Sequence, residues 1–280
     1  MDSKITIYSC ITNGYDEIPD DHYYDPDIRY VMFTDGSIEH KGAWEFRDIP
    51  ITHDCPLRLS LYPKIMQHKL FSEGDRVVWI DGCYVMTEEY VQYTKKLFEN
   101  HSRVHMRHPM SFTYYEEIAE SYIASYNTVE DIINITKSAD NIGFNFRKYT
   151  NPILASFWNT VGNAEVLRFN ELWWQLSQIS TRCDQIAFVV AKQITGLEWH
   201  TIDWLESGVN FRGVDGKGRG REGNVGRRKK HPQVGSKDQW KTMNDMLLQV
   251  KNIIGMNHIL YNKHWRNKEF LYEWIEKHHG

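Results

Sequence analysis

The chain has 280 residues, of which 41% are hydrophobic and 14% aromatic, so it can bury the core of one large domain. Its formal charge of −4 gives no general attraction to polyanions, no apolar run reaches the length of a membrane helix, and the start lacks the basic-then-apolar layout of a secretory signal. We therefore expect a globular, cytoplasmic protein with no membrane span and with reduced cysteines.

Four short segments rich in β-branched and aromatic residues occupy the first eighty or so residues. Each is bounded by glycine, aspartate or proline, which is typical of strands. Residues 56–71 have apolar side chains at helical spacing, interrupted only by Pro63. Thr87 precedes a second helical segment, and its first turn is acidic, as the helix dipole favours. The predicted strands are 4–11, 29–35, 44–49 and 76–81.

The pattern changes after a further strand predicted at 103–109. From there to about residue 193 the sequence is mainly helical in character, and a helical tail follows from 237 to 278. Strands in front and helices behind predict an α/β fold. We expect a main domain at 1–205, a Gly/Arg-rich mobile loop at 206–236, and a helical C-terminal extension at 237–280 that packs on the main domain.

Polar residues follow the predicted strands at the points where the strands end. Ligands of an open α/β sheet bind beyond the carboxyl ends of its strands, and a carboxylate there is costly to desolvate unless it is paired. No Gly-rich dinucleotide signature or P-loop follows the first strand. The sequence predicts a different kind of ligand site, although Tyr15-Asp16 and Asp81-Gly82 are equally compatible with an ordinary loop and turn. The polar residues are Thr12, Asn13, Tyr15, Asp16, Thr34, Asp35 and Asp81.

Several motifs in chain order resemble a group of GT-A-fold glycosyltransferase-like proteins with plant, bacterial and phage members. Two segments are also similar to landmarks of glycogenin-type retaining transferases: CDQIAF, and HPQVGSKDQW near the end of the glycine-rich stretch. The resemblance covers residues 4–202. It rests on YSCITNGYDEI, YVMFTD, RLSLYPKIMQHKLF, WIDG and FNELWWQLSQISTRCDQIAF.

This resemblance implies a GT-A-like, Rossmann-type mixed sheet flanked by helices. It also implies a transferase that moves a sugar from a nucleotide-sugar donor, a UDP-sugar, to an acceptor hydroxyl with retention of configuration. Tyr15 would lie against the base, and Arg58 and Lys64 would face the diphosphate or the donor sugar. The implied donor-binding residues are Thr12, Tyr15, Asp16, Thr34, Asp35, Arg58, Lys64 and Lys237, and the catalytic ones are Asp81, Asp184 and Gln185.

The same resemblance implies a divalent Mn²⁺ or Mg²⁺ ion that bridges the donor phosphates. Asp81 would bind the ion, because hard cations prefer oxygen ligands, and His231 would be a further ligand. The related transferases carry a second acid two residues after the first, whereas this chain has Cys83 there. The metal requirement is therefore open, and cationic side chains could take the place of the ion.

The segment from Arg212 to Lys230 holds eight Lys/Arg residues and six glycines. Three interpretations stay open: a solvated flexible loop, a loop that closes over the donor diphosphate, and a segment that contacts DNA phosphates. The acceptor is accordingly either a hydroxymethylated pyrimidine in DNA, extruded from the stack, or a glycan. The candidate acceptor- or phosphate-binding residues are Arg182, Arg227, Arg228, Lys229 and Lys230.

Two classes of function remain. The first is the nucleotide-sugar transferase described above. The second is a non-catalytic nucleic-acid-binding protein built on a degenerate transferase fold. In that case Asp184 has a structural role, such as pairing with Arg182, and Asp81 belongs to a turn.

Overall fold

The computed structural model describes residues 4–107, 113–123, 126–149, 153–179, 184–203 and 237–254. These residues contain seven strands, named in chain order: β1 (Thr6–Ile11), β2 (Arg29–Thr34), β3 (Glu45–Asp48), β4 (Arg76–Ile80), β5 (Arg103–Arg107), β6 (Ile153–Thr160) and β7 (His200–Asp203). They also contain seven α-helices: α1 (Pro56–Ile65), α2 (Glu88–Asn100), α3 (Tyr114–Ile123), α4 (Val129–Asn141), α5 (Ala164–Ser177), α6 (Asp184–Thr195) and α7 (Lys237–Ile254).

The strands form one mixed sheet in the order β3-β2-β1-β4-β6-β5-β7. Strand β1 pairs in parallel with β2 and β4, β2 pairs in parallel with β3, and β5 pairs in parallel with β7. Strand β6 lies between β4 and β5 and runs antiparallel to both. The predicted α/β class, with a mixed sheet flanked by helices, is confirmed.

Alternating side chains of the central strands supply two hydrophobic cores, one on each face of the sheet. On one face, Tyr8, Phe33, Trp79 and Phe157 pack with residues of α1 and of α3 to α7. On the other face, the neighbouring residues of the same strands pack against α2 and the aromatic loops before and after β2. A strand buried on both faces is mostly apolar and does not alternate with polar residues, which agrees with the sequences of β1, β2 and β4.

Local signals fix where several helices begin. The Thr87 hydroxyl accepts a hydrogen bond from the Tyr90 N–H, so the predicted start of α2 is confirmed. At α4, the side chains of Thr128 and Asp131 form a capping box. Helix α1 ends at Ile65, followed by a 3₁₀ turn at Gln67–Lys69, and so is shorter than the helix expected over 56–71.

Two of the seven strands, β6 and β7, are not predicted by the sequence. Strands β6 and β7 lie in the second half of the chain, and the expectation of mainly helical structure up to about residue 193 is wrong for β6. Its sequence, ILASFWNT, is a short apolar run, and periodicity alone does not distinguish a buried strand from a buried helical segment.

Helix α7 packs against α4 and α3 and adds Met243, Met246, Leu247 and Val250 to the larger core. Within the described ranges, no helix is both long and apolar enough to cross a membrane. Residues 204–236, which include the whole of the expected mobile loop at 206–236, and residues 255–280 lie outside the described part of the chain.

Candidate functional site

The candidate site lies where the strand order reverses. The chain passes from β1 outward to β2 and β3, then returns through α1 to β4 on the other side of β1. Ligands of open α/β sheets bind at such a switch point, beyond the carboxyl ends of the strands. Asp81 directly follows β4 at this edge, where the sequence predicts it.

Three charged side chains from three elements meet here. The ammonium of Lys64, in the last turn of α1, lies 2.7 Å from Oδ2 of Asp184 and 3.5 Å from Oδ1 of Asp81. Lys64 and Asp184 keep only 8% and 11% of their side-chain surface exposed, whereas Asp81 keeps 39%. These three residues, here called the charge triad, unite the predicted catalytic aspartates with a predicted donor-binding lysine.

Trp79 belongs to the WIDG motif, but it is not among the predicted site residues. Its indole N–H donates a 2.7 Å hydrogen bond to Oδ1 of Asp81, and the Lys64 ammonium lies 5.4 Å from the centroid of its ring. Residues two apart in a strand point to the same face of the sheet, so the sequence spacing of Trp79 and Asp81 already carried this signal. The indole therefore contacts both Asp81 and Lys64.

Asp184 is the first residue of α6, where the helix dipole favours a negative charge. Its main-chain carbonyl accepts a 2.8 Å hydrogen bond from the indole N–H of Trp173 on α5. Trp173 is fully buried, and this contact adds a hydrogen bond to its packing in the core. The α5–α6 packing thus sets the position from which the carboxylate reaches Lys64.

Lys64 keeps its positive charge within the triad. Burial disfavours the ammonium of Lys64, but the carboxylates of Asp184 and Asp81 outweigh that effect and raise the pKa of Lys64 above its usual value. Desolvation raises the pKa of Asp81, against the opposing influence of Lys64 and of the Trp79 hydrogen bond. Lys64 consequently stays protonated at neutral pH.

The loop after β1 is held to the loop after β2. Asp35 accepts hydrogen bonds from the backbone N–H of Asn13 at 2.8 Å and of Ser37 at 3.2 Å. Desolvation opposes ionisation, but these bonds and one from the Ser37 hydroxyl lower the pKa of Asp35. Asn13 and Gly14 both adopt positive φ, a conformation that asparagine and glycine tolerate better than other residues. Asp35 therefore organises this edge of the site.

Other predicted donor-binding residues are largely enclosed. The Thr12 hydroxyl is fully buried and donates a 2.9 Å hydrogen bond to the Pro56 carbonyl, tying β1 to the start of α1. Tyr15 and Thr34 are buried, and Thr34 Oγ1 accepts a hydrogen bond from the Gly36 N–H. Thr12 and Thr34 thus maintain the loop geometry. Asp16 is half-buried.

The remaining predicted residues are not brought into the triad by any contact in the described ranges. Arg58 lies on α1, and its Nε is buried without a hydrogen-bond partner among the described residues. Gln185 follows Asp184 on α6 and is half-buried, and Lys237 is the first residue of α7. Outside the described residues lie Arg182, Arg227, Arg228, Lys229, Lys230 and His231.

The described residues do not supply a metal site. No three His, Cys, Asp or Glu side chains in these ranges are arranged to hold an ion. At the expected position, Oδ1 of Asp81 already faces the Lys64 ammonium and the Trp79 N–H. Gly82 packs tightly against the protein, because a Cβ there would lie 2.7 Å from Cγ1 of Ile11. The need for glycine at this position comes from the neighbouring strand.

Comparisons with known proteins leave the chain unassigned. No protein-family model matches it, and no curated protein shows significant similarity to its sequence.

Proposed function

We propose that the protein is a glycosyltransferase that moves a sugar from a UDP-sugar to an acceptor hydroxyl with retention of configuration. The observation that carries this proposal is the charge triad at the switch point of the sheet. It joins Asp81, Asp184 and Lys64, which come from three of the motifs that resemble GT-A-fold transferases. The seven-stranded mixed sheet is compatible with a GT-A-like fold and supports the same reading.

The triad suits the chemistry of glycosyl transfer. Cleavage of the bond between the anomeric carbon and the phosphate oxygen develops positive charge on the sugar and negative charge on the leaving diphosphate. The carboxylates of the triad stabilise the positive sugar, and they can accept hydrogen bonds from sugar hydroxyls. Because the carboxylates are held by Lys64, Trp79 and the α6 terminus, they need little reorganisation during the reaction.

Protons and bonds balance without a dedicated base on the protein. The acceptor oxygen bonds to the anomeric carbon on the face from which the diphosphate departs. The acceptor proton passes to the departing oxygen, which remains bonded to the β-phosphorus of the released UDP. Asp184 and Asp81 act as electrostatic and hydrogen-bonding groups in this scheme.

The leaving diphosphate needs cationic groups in the same edge of the sheet. Arg58 lies on the same helix as Lys64, α1. Its Nε is buried and makes no hydrogen bond with the described residues. A guanidinium can bind two phosphate oxygens at once. We assign Arg58 to the diphosphate, with the basic segment at 212–230 as a further candidate outside the described ranges.

A donor panel tests the proposed function. Thermal unfolding of the full chain is measured with UDP-, GDP-, CMP- and dTDP-sugars, and release of free nucleotide is measured with water, glycans and hydroxymethylated DNA as acceptors. A donor that binds only the folded state raises the unfolding temperature. We expect a shift with a UDP-sugar and release of UDP.

Variants then connect the activity to the triad. Asp184→Asn and Asp81→Asn should each lower the transfer rate about 100-fold or more while the chain remains folded. Asp140→Asn, at an exposed aspartate in α4, is the matched control and should leave the rate unchanged. Full activity of Asp184→Asn, or the absence of binding and transfer with all donors, would refute the proposed function.

A further inference from the structure

We propose that the ammonium of Lys64 is the resident cation of this site, standing where a divalent metal ion would otherwise join Asp81 and Asp184. The nucleotide-sugar would then be bound without a protein-held metal ion. This inference rests on the proposed function for its substrate, but the cation itself can be tested without any substrate.

The geometry of Lys64 is that of a buried counter-ion. Its nitrogen contacts carboxylate oxygens from two separate elements, at 2.7 Å and 3.5 Å, and sits over the Trp79 ring. Lys64 as a whole is only 6% exposed. A lysine that reached the surface would leave Asp184, itself 8% exposed, as an unpaired buried charge. The ammonium is therefore required where it lies.

The backbone around Lys64 fixes it in this position. The Lys64 carbonyl accepts hydrogen bonds from the Tyr8 hydroxyl at 3.3 Å and from Gln67 Nε2 at 3.1 Å, and both donors are buried. Lys64 also lies in the last turn of α1, where the helix dipole favours a cation. The end of α1 thus presents the side chain to the two aspartates from a rigid base.

A divalent ion at Asp81 would compete directly with this arrangement. The ion would need oxygen of Asp81, and the Oδ1 atom already accepts the Trp79 N–H and faces the ammonium. A +2 charge within a few ångströms of Lys64 would be repelled, because both would share the same two carboxylates. Mg²⁺ and Mn²⁺ also favour several oxygen ligands, whereas Cys83 follows Asp81 at the place of a second acid.

Removal of the ammonium should therefore create a metal site. In Lys64→Ala, two carboxylates would face an empty space without their counter-ion. A divalent ion would take the place of the ammonium and would stabilise the folded chain. We therefore predict that the wild type binds no divalent ion at this site and that Lys64→Ala binds one.

The test is a Mn²⁺ titration of the metal-stripped full chain, with free Mn²⁺ followed by electron paramagnetic resonance and no nucleotide present. We expect no Asp81-dependent Mn²⁺ binding by the wild type. We expect saturable, Asp81-dependent Mn²⁺ binding by Lys64→Ala. The double variant Lys64→Ala/Asp81→Asn should lose the gain. Saturable Mn²⁺ binding by the wild type that Asp81→Asn abolishes would overturn the inference, and this comparison decides it even if Lys64→Ala fails to fold.

A second measurement separates this inference from the proposed function. UDP binding by the wild type is measured by thermal shift in EDTA and in Mn²⁺. Equal shifts support Lys64 as the resident cation, and a shift only in Mn²⁺ overturns it while leaving the transferase intact. No shift in either condition counts against the proposed function, and the nucleotide-free titration still decides the role of Lys64.

Discussion

The most direct test of the charge triad is the substitution Lys64→Met, which keeps most of the side-chain volume and removes the charge. Breaking a buried ion pair by removing one partner costs about 3–5 kcal/mol, because the other charge stays buried. We expect the low end, about 3 kcal/mol, since the Asp81 side chain is 39% exposed and solvent screens its share. For a chain of this size that loss lowers the unfolding temperature by roughly 6–12 °C.

The loss should depend on pH in a defined direction. The raised pKa of Lys64 means that its stabilising effect is present below its usual value of 10.5 and is lost as the pH rises through the folded-state value. At the acid end, protonation neutralises the carboxylates, so the charge of Lys64 matters less there. The difference between wild type and Lys64→Met is therefore largest from neutral pH up to about 10.5, and it shrinks as the pH falls into the range where the carboxylates are protonated.

Urea unfolding of both proteins from pH 4 to pH 8 measures this difference. Lys69→Met is the matched control, because Lys69 is a half-exposed lysine 3.5 Å from Glu171 and should contribute less than about 0.5 kcal/mol. A neutral-pH loss for Lys64→Met no larger than that of the control would refute the assignment of Lys64 as a required counter-ion. A loss that stays constant from pH 8 to pH 4 would refute its electrostatic origin.

Two further predictions concern packing and acid stability. Gly82→Ala should lower the free energy of unfolding by about 1–3 kcal/mol, because the new methyl group would lie 2.7 Å from Cγ1 of Ile11. In a double-mutant cycle measured by urea unfolding, Ile11→Ala should relieve part of that loss. Strictly additive losses would contradict the clash. Burial, with Lys192 close by, lowers the pKa of His105 to about 3, so the wild type should lose about 1.4 kcal/mol per pH unit below pH 6.5 from this group as the unfolded chain takes up a proton. His105→Gln should show a shallower loss of stability between pH 6.5 and pH 5, and equal slopes would show that His105 is not held neutral.

Much of the triad could be predicted from local sequence. Asp81 follows a strongly apolar strand, and Asp184 begins a helix, so both positions could be placed on their elements without any tertiary information. The resemblance to transferases placed Lys64 on the same ligand. The direct contacts of Lys64 with both aspartates could not be predicted, because they depend on how α1, β4 and α6 pack together.

Residues at the strand ends show the limit of the same reasoning. Thr12 follows β1 and Thr34 ends β2, and the resemblance implies that both bind the donor. In the structure the Thr12 hydroxyl donates to the Pro56 carbonyl, and Thr34 Oγ1 accepts from the Gly36 N–H. Short polar side chains serve loops and ligands equally well, so their type does not reveal which they do. Only the atoms that they contact distinguish these two uses.

Strand β6 has a consequence for how the chain acquires its site. Strand β4, which carries Trp79 and leads to Asp81, pairs with β1 on one side and with residues 156–160 on the other. The Ser156 hydroxyl also donates to the Trp79 carbonyl at 2.7 Å. During synthesis, β1 to β5 are therefore complete well before the strand that joins β4 to β5, and the edge of β4 remains unpaired until then. An open edge of this kind can pair with other chains, so the nascent protein is most prone to aggregate while it lacks β6.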